Sequence, residues 1–143
     1  MTSDVSLDQA NAIIRAALDE ASKRKLKPIT VAVLDRGAHL VGLARQDGSS
    51  NLRPQIAIAK ASGALALGVS SRTIGEMAVE RPVFVSAVAG LAPGGMIPAA
   101  GGIIITDAAG NATGAVGVTG DTSDEDEACA LAGIVAAARA VRV

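Results

Sequence analysis

The sequence predicts a mixed α/β fold of the α+β type, in which an antiparallel sheet is flanked by helices. Two pairs of short apolar runs, each joined by a turn signal, indicate two β-hairpins. The first pair is apolar on both faces, which predicts that the sheet is covered on each side by helices or by another subunit. Apolar residues at helical spacing supply the covering layers. The predicted strands are 29–34, 40–44, 103–106 and 115–119.

Four helices are expected, over residues 7–23, 51–67, 73–80 and 123–139. The first begins at a capping box formed by Ser6 and Gln9. The terminal helix has Ser123 as its predicted N-cap, with Asp126 three residues later. With 143 residues and no internal boundary, the chain is expected to form a single domain over residues 1–143.

Carboxylates crowd the start of the terminal helix, where they suit the positive end of the helix dipole. They are Asp121, Asp124, Glu125, Asp126 and Glu127. These charges would repel a phosphate, and their spacing is not that of a calcium-binding EF-hand loop. We therefore predict a solvated helix start and no phosphate or calcium site.

Charge and composition exclude several classes of partner. A net charge of −1 without a basic run excludes nucleic acid. Residues 82–106 carry no charge, but their three prolines and five glycines exclude a membrane helix. We interpret the stretch as buried within the fold or between subunits, and we expect a homo-oligomer. The single cysteine, Cys129, is interpreted as a core residue, and it indicates a cytoplasmic protein together with the absence of a leader.

His39 is the only imidazole in the chain, so histidine chemistry has to involve it. The predicted turn places Asp35 and His39 opposite each other at the mouth of the first hairpin. Three interpretations stay open: an oriented general base, a pair that only stabilises the turn, and an axial ligand of haem iron. One His and one Cys cannot supply the four ligands of structural zinc.

The second helix and a later loop supply candidate ligand-binding residues. Lys60 is the only charge between Arg53 and Arg72, and Arg53 lies two turns before it, so both could reach one anion. In Pro93-Gly-Gly-Met96, the amides of Gly94 and Gly95 could turn toward an anion, or the glycines could form a sharp buried turn. We interpret Met96 as a packing residue in preference to a metal ligand.

Four motifs resemble the GlcG/HbpS family, also called the haem-degrading domain family, which includes the C-terminal domain of PduO. They are V-A-V-L-D-R-G-A-H-L-V-G-L-A-R-Q-D-G at 31–48, A-K-A at 59–61, L-A-P-G-G at 91–95 and G-A-V-G-V-T-G-D-T-S-D-E-D-E-A-C-A at 114–130. The resemblance implies a profilin-like layer with a five-stranded antiparallel sheet, assembled into dimers to octamers. It also implies haem binding, a link to corrinoid metabolism, or a role in small-acid catabolism.

The resemblance maps His39 onto the motif D-x-G-x-H-L, Lys60 onto A-K-A, and Gly94 and Gly95 onto the P-G-G loop. Two functions follow, and the first is preferred. In the first, a small-ligand-binding protein holds haem or another tetrapyrrole, with His39 or Met96 on the iron.

In the second, a metal-independent hydrolase, isomerase or tautomerase transfers protons on a small carboxylate. Asp35 with His39, or Lys60, would be its catalytic groups. Arg53 and the amides of the P-G-G loop would hold the substrate.

Overall fold

Five antiparallel strands form one sheet, in the order β2-β1-β4-β3-β5. The computed structural model describes residues 3–137 and 139–142. The strands are β1 Thr30–Asp35, β2 Leu40–Arg45, β3 Gly102–Thr106, β4 Ala112–Thr119 and β5 Ala140–Arg142. Both predicted hairpins are present, and the five-stranded sheet implied by the resemblance is confirmed.

Five helices lie in the described part of the chain. They are α1 Leu7–Lys23, α2 Arg53–Leu67, α3 Ser71–Glu80, α4 Pro82–Ala89 and α5 Ser123–Ala136. The predicted bounds of α1 and its capping box are confirmed, because the Ser6 hydroxyl accepts from the Gln9 amide at 3.1 Å and the Gln9 side chain accepts from the Ser6 amide at 3.0 Å. Within residues 3–137 and 139–142, none of the helices has the length and apolar character that a membrane crossing requires.

Helices cover the sheet on both faces, as predicted. On one face α1 and α5 pack on alternate residues of the central strands, with Ile13, Val116 and Ile134 in one buried cluster. On the other face α2 packs over Leu34 and Ala115. α3 and α4 continue from the α2 layer and form a smaller cluster of their own.

Paired glycines explain how closely α2 approaches the sheet. Gly102 and Gly117 are register partners on β3 and β4. A Cβ atom on Gly117 would overlap the carbonyl oxygen of Ala57, and one on Gly102 would overlap that of Lys60. A helix can therefore lie against these strands only because both positions lack a side chain.

The structure corrects the ends of the terminal helix and adds an unpredicted helix. Thr122, not Ser123, is the N-cap of α5, since its side chain accepts from the Glu125 amide. α5 ends at Ala136, three residues before its predicted end at residue 139, and an unpredicted strand, β5, begins at Ala140. α4 was not predicted: it begins at a proline, a favoured first residue, but it has no polar face to mark its periodicity.

Candidate functional site

The turn between β1 and β2 holds His39 in a defined orientation. Asp35 Oδ1 accepts from the backbone amides of Gly37 at 3.0 Å and His39 at 2.9 Å. The same oxygen lies 3.1 Å from His39 Nδ1. Because the carboxylate holds the proton on Nδ1, the neutral imidazole keeps its lone pair on Nε2. The His39 side chain is 81% exposed, and Nε2 has no hydrogen-bond partner among the described residues.

A small cavity of about 170 Å³ lies beside this turn. Its walls come from the turn, from α2 and from the P-G-G loop (residues 93–95). They are Arg36, Gly37, Ala38, Ser62, Leu65, Ala66 and Pro93. The structure therefore brings the predicted His39 turn and the predicted loop next to each other.

The amides of the P-G-G loop have partners inside the protein. Gly94 donates to the Ser62 hydroxyl at 3.0 Å, and Gly95 donates to the carbonyl of Ala92 at 3.0 Å. Gly95 has a φ of 89°, in the left-handed region that favours glycine. The geometry is that of a sharp structural turn, which was one of the two interpretations, and neither amide is left to bind an anion.

A larger cavity of about 520 Å³ lies on the other side of the loop. Its lining is apolar apart from Gln55 and backbone groups. The lining residues are Leu52, Gln55, Ile56, Ala59, Ala89, Gly90, Gly94, Gly95, Met96 and Ile97. Met96 is only 8% exposed and packs in the α3–α4 cluster with Ile74 and Val85, so most of its side chain belongs to the core.

Lys60 lies elsewhere, in a buried ion pair. Its Nζ is 2.9 Å from the carbonyl oxygen of Val118 and 3.3 Å from Asp126 Oδ2, and the two charged side chains are 4% and 2% exposed. Burial lowers the pKa of Lys60, against the attraction of Asp126. Burial also raises the pKa of Asp126, against a hydrogen bond from the Asp121 amide and the attraction of Lys60. Each charge is tolerated there because the other is present.

Arg53 also points to the end of β4. Its Nη1 donates to the Thr119 hydroxyl at 2.6 Å, next to the carbonyl that accepts from Lys60. Arg53 and Lys60 do approach one region, as predicted from their spacing, but the anion found there is Asp126 of the same chain. Neither residue lines the small or the larger cavity.

The prediction of a solvated acidic cluster was wrong for Asp126, which is 1% exposed. Its neighbours are also partly neutralised: Arg72 pairs with Asp124 and Glu127, and Arg24 pairs with Glu125. Sequence reasoning missed Asp126 as the partner of Lys60. A lone lysine on an apolar helix was the available signal, since a buried ammonium requires a counter-charge.

Cys129 is a buried free thiol on α5, as interpreted from the sequence. Burial raises its pKa to about 11, so the thiol form dominates at neutral pH. It is a core residue rather than a nucleophile.

The fold places the protein in the α+β class, with a five-stranded antiparallel sheet and helices on both of its faces. The family model of the haem-degrading protein HbpS-like family matches residues 5–135. The chain belongs to this family, which confirms the relationship suggested by its motifs. No curated protein matches it in sequence.

Solved structures share the fold over nearly the whole chain. The match to the PduOC:haem complex has a TM-score of 0.86 at 18% identity and covers 98% of this chain and 99% of the PduOC chain. A double mutant of HbpS from Streptomyces reticuli has a TM-score of 0.81 at 26% identity, with 94% and 88% covered. The ORFY protein of Klebsiella pneumoniae has a TM-score of 0.86 at 21% identity, with 96% and 93% covered.

Proposed function

We propose that this protein binds haem or another tetrapyrrole, with His39 as the axial ligand of the metal. The observation that carries the proposal is the geometry of the turn, where Nδ1 of His39 faces the Asp35 carboxylate and Nε2 faces outward. Metal-ligating histidines characteristically donate their other ring N–H to a carboxylate or carbonyl. Membership of a haem-degrading family and a similar fold solved as a haem complex support the same ligand.

The residues around His39 fit such a group in their chemistry. A neutral imidazole is a common axial ligand of haem iron, and the bound iron would supply the redox and ligand-binding chemistry. The adjacent small cavity offers Ala38, Leu65, Ala66 and Pro93 as an apolar wall against which a macrocycle can pack. Met96 is a weaker candidate ligand because most of its side chain is packed in the core.

No observation favours the alternative of a metal-independent enzyme acting on a small carboxylate. The groups expected to hold that substrate have partners within the protein: Thr119 for Arg53, and Ser62 and Ala92 for the loop amides. Lys60, a candidate group for proton transfer, is paired with Asp126. Recruiting them would require breaking those contacts first.

A spectroscopic titration of the purified protein with haemin tests the proposal. We expect a Soret band that saturates at one haem per chain and a spectrum typical of histidine ligation. His39→Ala should abolish this spectrum. Asp35→Asn, which removes the carboxylate that orients the ring, should weaken binding by about 10–100-fold.

Met96→Leu is the matched control, because it removes the Met96 sulfur, the other candidate ligand of the metal, and keeps the side-chain volume. We expect it to bind haem as the wild type does. An unchanged spectrum and affinity in His39→Ala would refute the assignment, and so would a loss of binding confined to Met96→Leu.

A further inference from the structure

Among the described residues, Arg36 is the one charged residue in the walls of the two cavities beside the P-G-G loop. It lines the small cavity and lies in the same turn as His39, three residues before it. The larger cavity has no charged residue in its described lining. A ligand that is bound through His39 and carries an anionic group therefore finds its opposite charge in the cavity wall at Arg36.

Asp4 is joined to Arg36 by two contacts. Its Oδ1 accepts from the Arg36 backbone amide at 3.1 Å and lies 3.4 Å from Arg36 Nε. The Arg36 and Asp4 side chains are 50% and 46% exposed, so water and salt screen this ion pair and it contributes little to stability. Another carboxylate can therefore take the place of Asp4 at the guanidinium, while the hydrogen bond from the backbone amide keeps Asp4 at the turn.

We propose that Arg36 selects tetrapyrroles with carboxylate side chains, by exchanging Asp4 for a carboxylate of the ligand. The inference rests on the proposed function, because the ligand has to be held at His39 for its edge to reach Arg36. A guanidinium presents N–H donors in a planar fork that matches a carboxylate. A macrocycle packed on the apolar wall also displaces water, so the attraction between Arg36 and the ligand is stronger than in the exposed pair with Asp4.

Titrations of the purified full chain with haemin and with haemin dimethyl ester test the inference. The ester has the same iron and macrocycle, but its propionates are neutral. With the Soret band as the signal and the same solvent in both titrations, we expect the wild type to bind haemin about 5–10-fold more tightly than the ester. Arg36→Gln should remove this preference, because it weakens the binding of haemin and leaves the binding of the ester unchanged.

Asp4→Asn should have the opposite effect if the two carboxylates exchange at Arg36. The asparagine side-chain oxygen can still accept from the Arg36 backbone amide, but the competing charge is gone. We expect Asp4→Asn to bind haemin about 2–5-fold more tightly than the wild type and to bind the ester equally well. An ion pair that only stabilised the turn would give the same loss in both variants and for both ligands.

Arg15→Gln is the matched control, because Arg15 is an exposed cation on α1, which covers the face of the sheet opposite α2. It changes the net charge as Arg36→Gln does, and both affinities should stay at the wild-type values. Three results would overturn the inference: equal binding of haemin and the ester by the wild type, a preference retained in Arg36→Gln, or weaker binding of haemin by Asp4→Asn.

The proposed function can be judged separately in the same titrations. A Soret band that His39→Ala abolishes for both ligands supports ligation by His39, whichever result Arg36→Gln gives. A wild type that shows no Soret band with either ligand would refute the proposed function and this inference together. A preference for haemin that is lost equally in Arg15→Gln and Arg36→Gln would show attraction by net charge alone and would overturn the role of Arg36.

Discussion

Replacing Lys60 with methionine should destabilise the fold severely at neutral pH. Methionine retains most of the apolar stem of the side chain, so the main loss is the ammonium that faces Asp126 and the Val118 carbonyl. Removing one partner of a buried ion pair costs about 3–5 kcal/mol, because the other charge stays buried without compensation. Urea unfolding measures this directly, and the midpoint should fall by about 1–3 M.

The pH dependence of this loss identifies its cause. The folded-state pKa of Asp126 is already raised by burial, and removing Lys60 also removes an attraction that holds it down. A carboxyl group with a raised folded-state pKa stabilises the fold below its unfolded value of 3.8, and this contribution disappears as the pH rises through the folded value. The difference between Lys60→Met and wild type should therefore shrink as the pH falls from about 7 toward about 4.5.

A double variant separates the ion pair from packing. In Lys60→Met/Asp126→Asn the unpaired negative charge is gone, while the amide oxygen can still accept from the Asp121 backbone. We expect the double variant to be more stable at neutral pH than Lys60→Met alone. The reasoning is refuted by a single-variant loss below about 1 kcal/mol, by a loss that is the same at both pH values, or by a double variant less stable than Lys60→Met.

Three further predictions concern the core and the helix cap. Gly117→Ala should lower the free energy of unfolding in urea by more than about 3 kcal/mol or abolish folding, because its methyl group would overlap an α2 carbonyl. Gly90→Ala is the control: position 90 has no close neighbour, so the free energy of unfolding should stay within about 0.5 kcal/mol of wild type. Thr122→Ala should lower the free energy of unfolding by about 1 kcal/mol, and equal losses in Thr122→Ala and Ser123→Ala would contradict the observed cap. In the folded protein, Cys129 should react with a disulfide reagent at least about 100 times more slowly than in urea, because folding raises its pKa from 9.0 to about 11. An equal rate in both states would contradict its burial.

Local signals in the sequence were sufficient for most of the fold. A capping box and a 3.6-residue period identified α1 to the residue, and the turn residues between apolar runs identified both hairpins. β5 was missed because its three residues are ordered by pairing with β3, a distant strand that periodicity cannot reveal. α4 was missed because a helix whose outer side is also apolar has no amphipathic pattern to detect.

The candidate site divides in the same way between local and distant contacts. Asp35 and His39 are four residues apart across one turn, so their pairing could be predicted from the hairpin alone. Lys60 and Asp126 are 66 residues apart. Five carboxylates were available near the start of α5, and the rotation of that helix against β4 selects Asp126 as the buried one. That rotation depends on how the whole domain packs, and the spacing of charges along the sequence carries no information about this packing.

The small side chains of the core determine where a ligand can bind. Without Tyr or Trp, and with glycines where α2 crosses the sheet, the layers approach closely, and the cavities described here lie at the surface on either side of the P-G-G loop. A planar ligand bound at His39 would have an apolar wall on one side only, formed by the small cavity. His39→Ala should therefore remove the proposed metal ligand and leave the core packing unchanged, because the His39 side chain is 81% exposed.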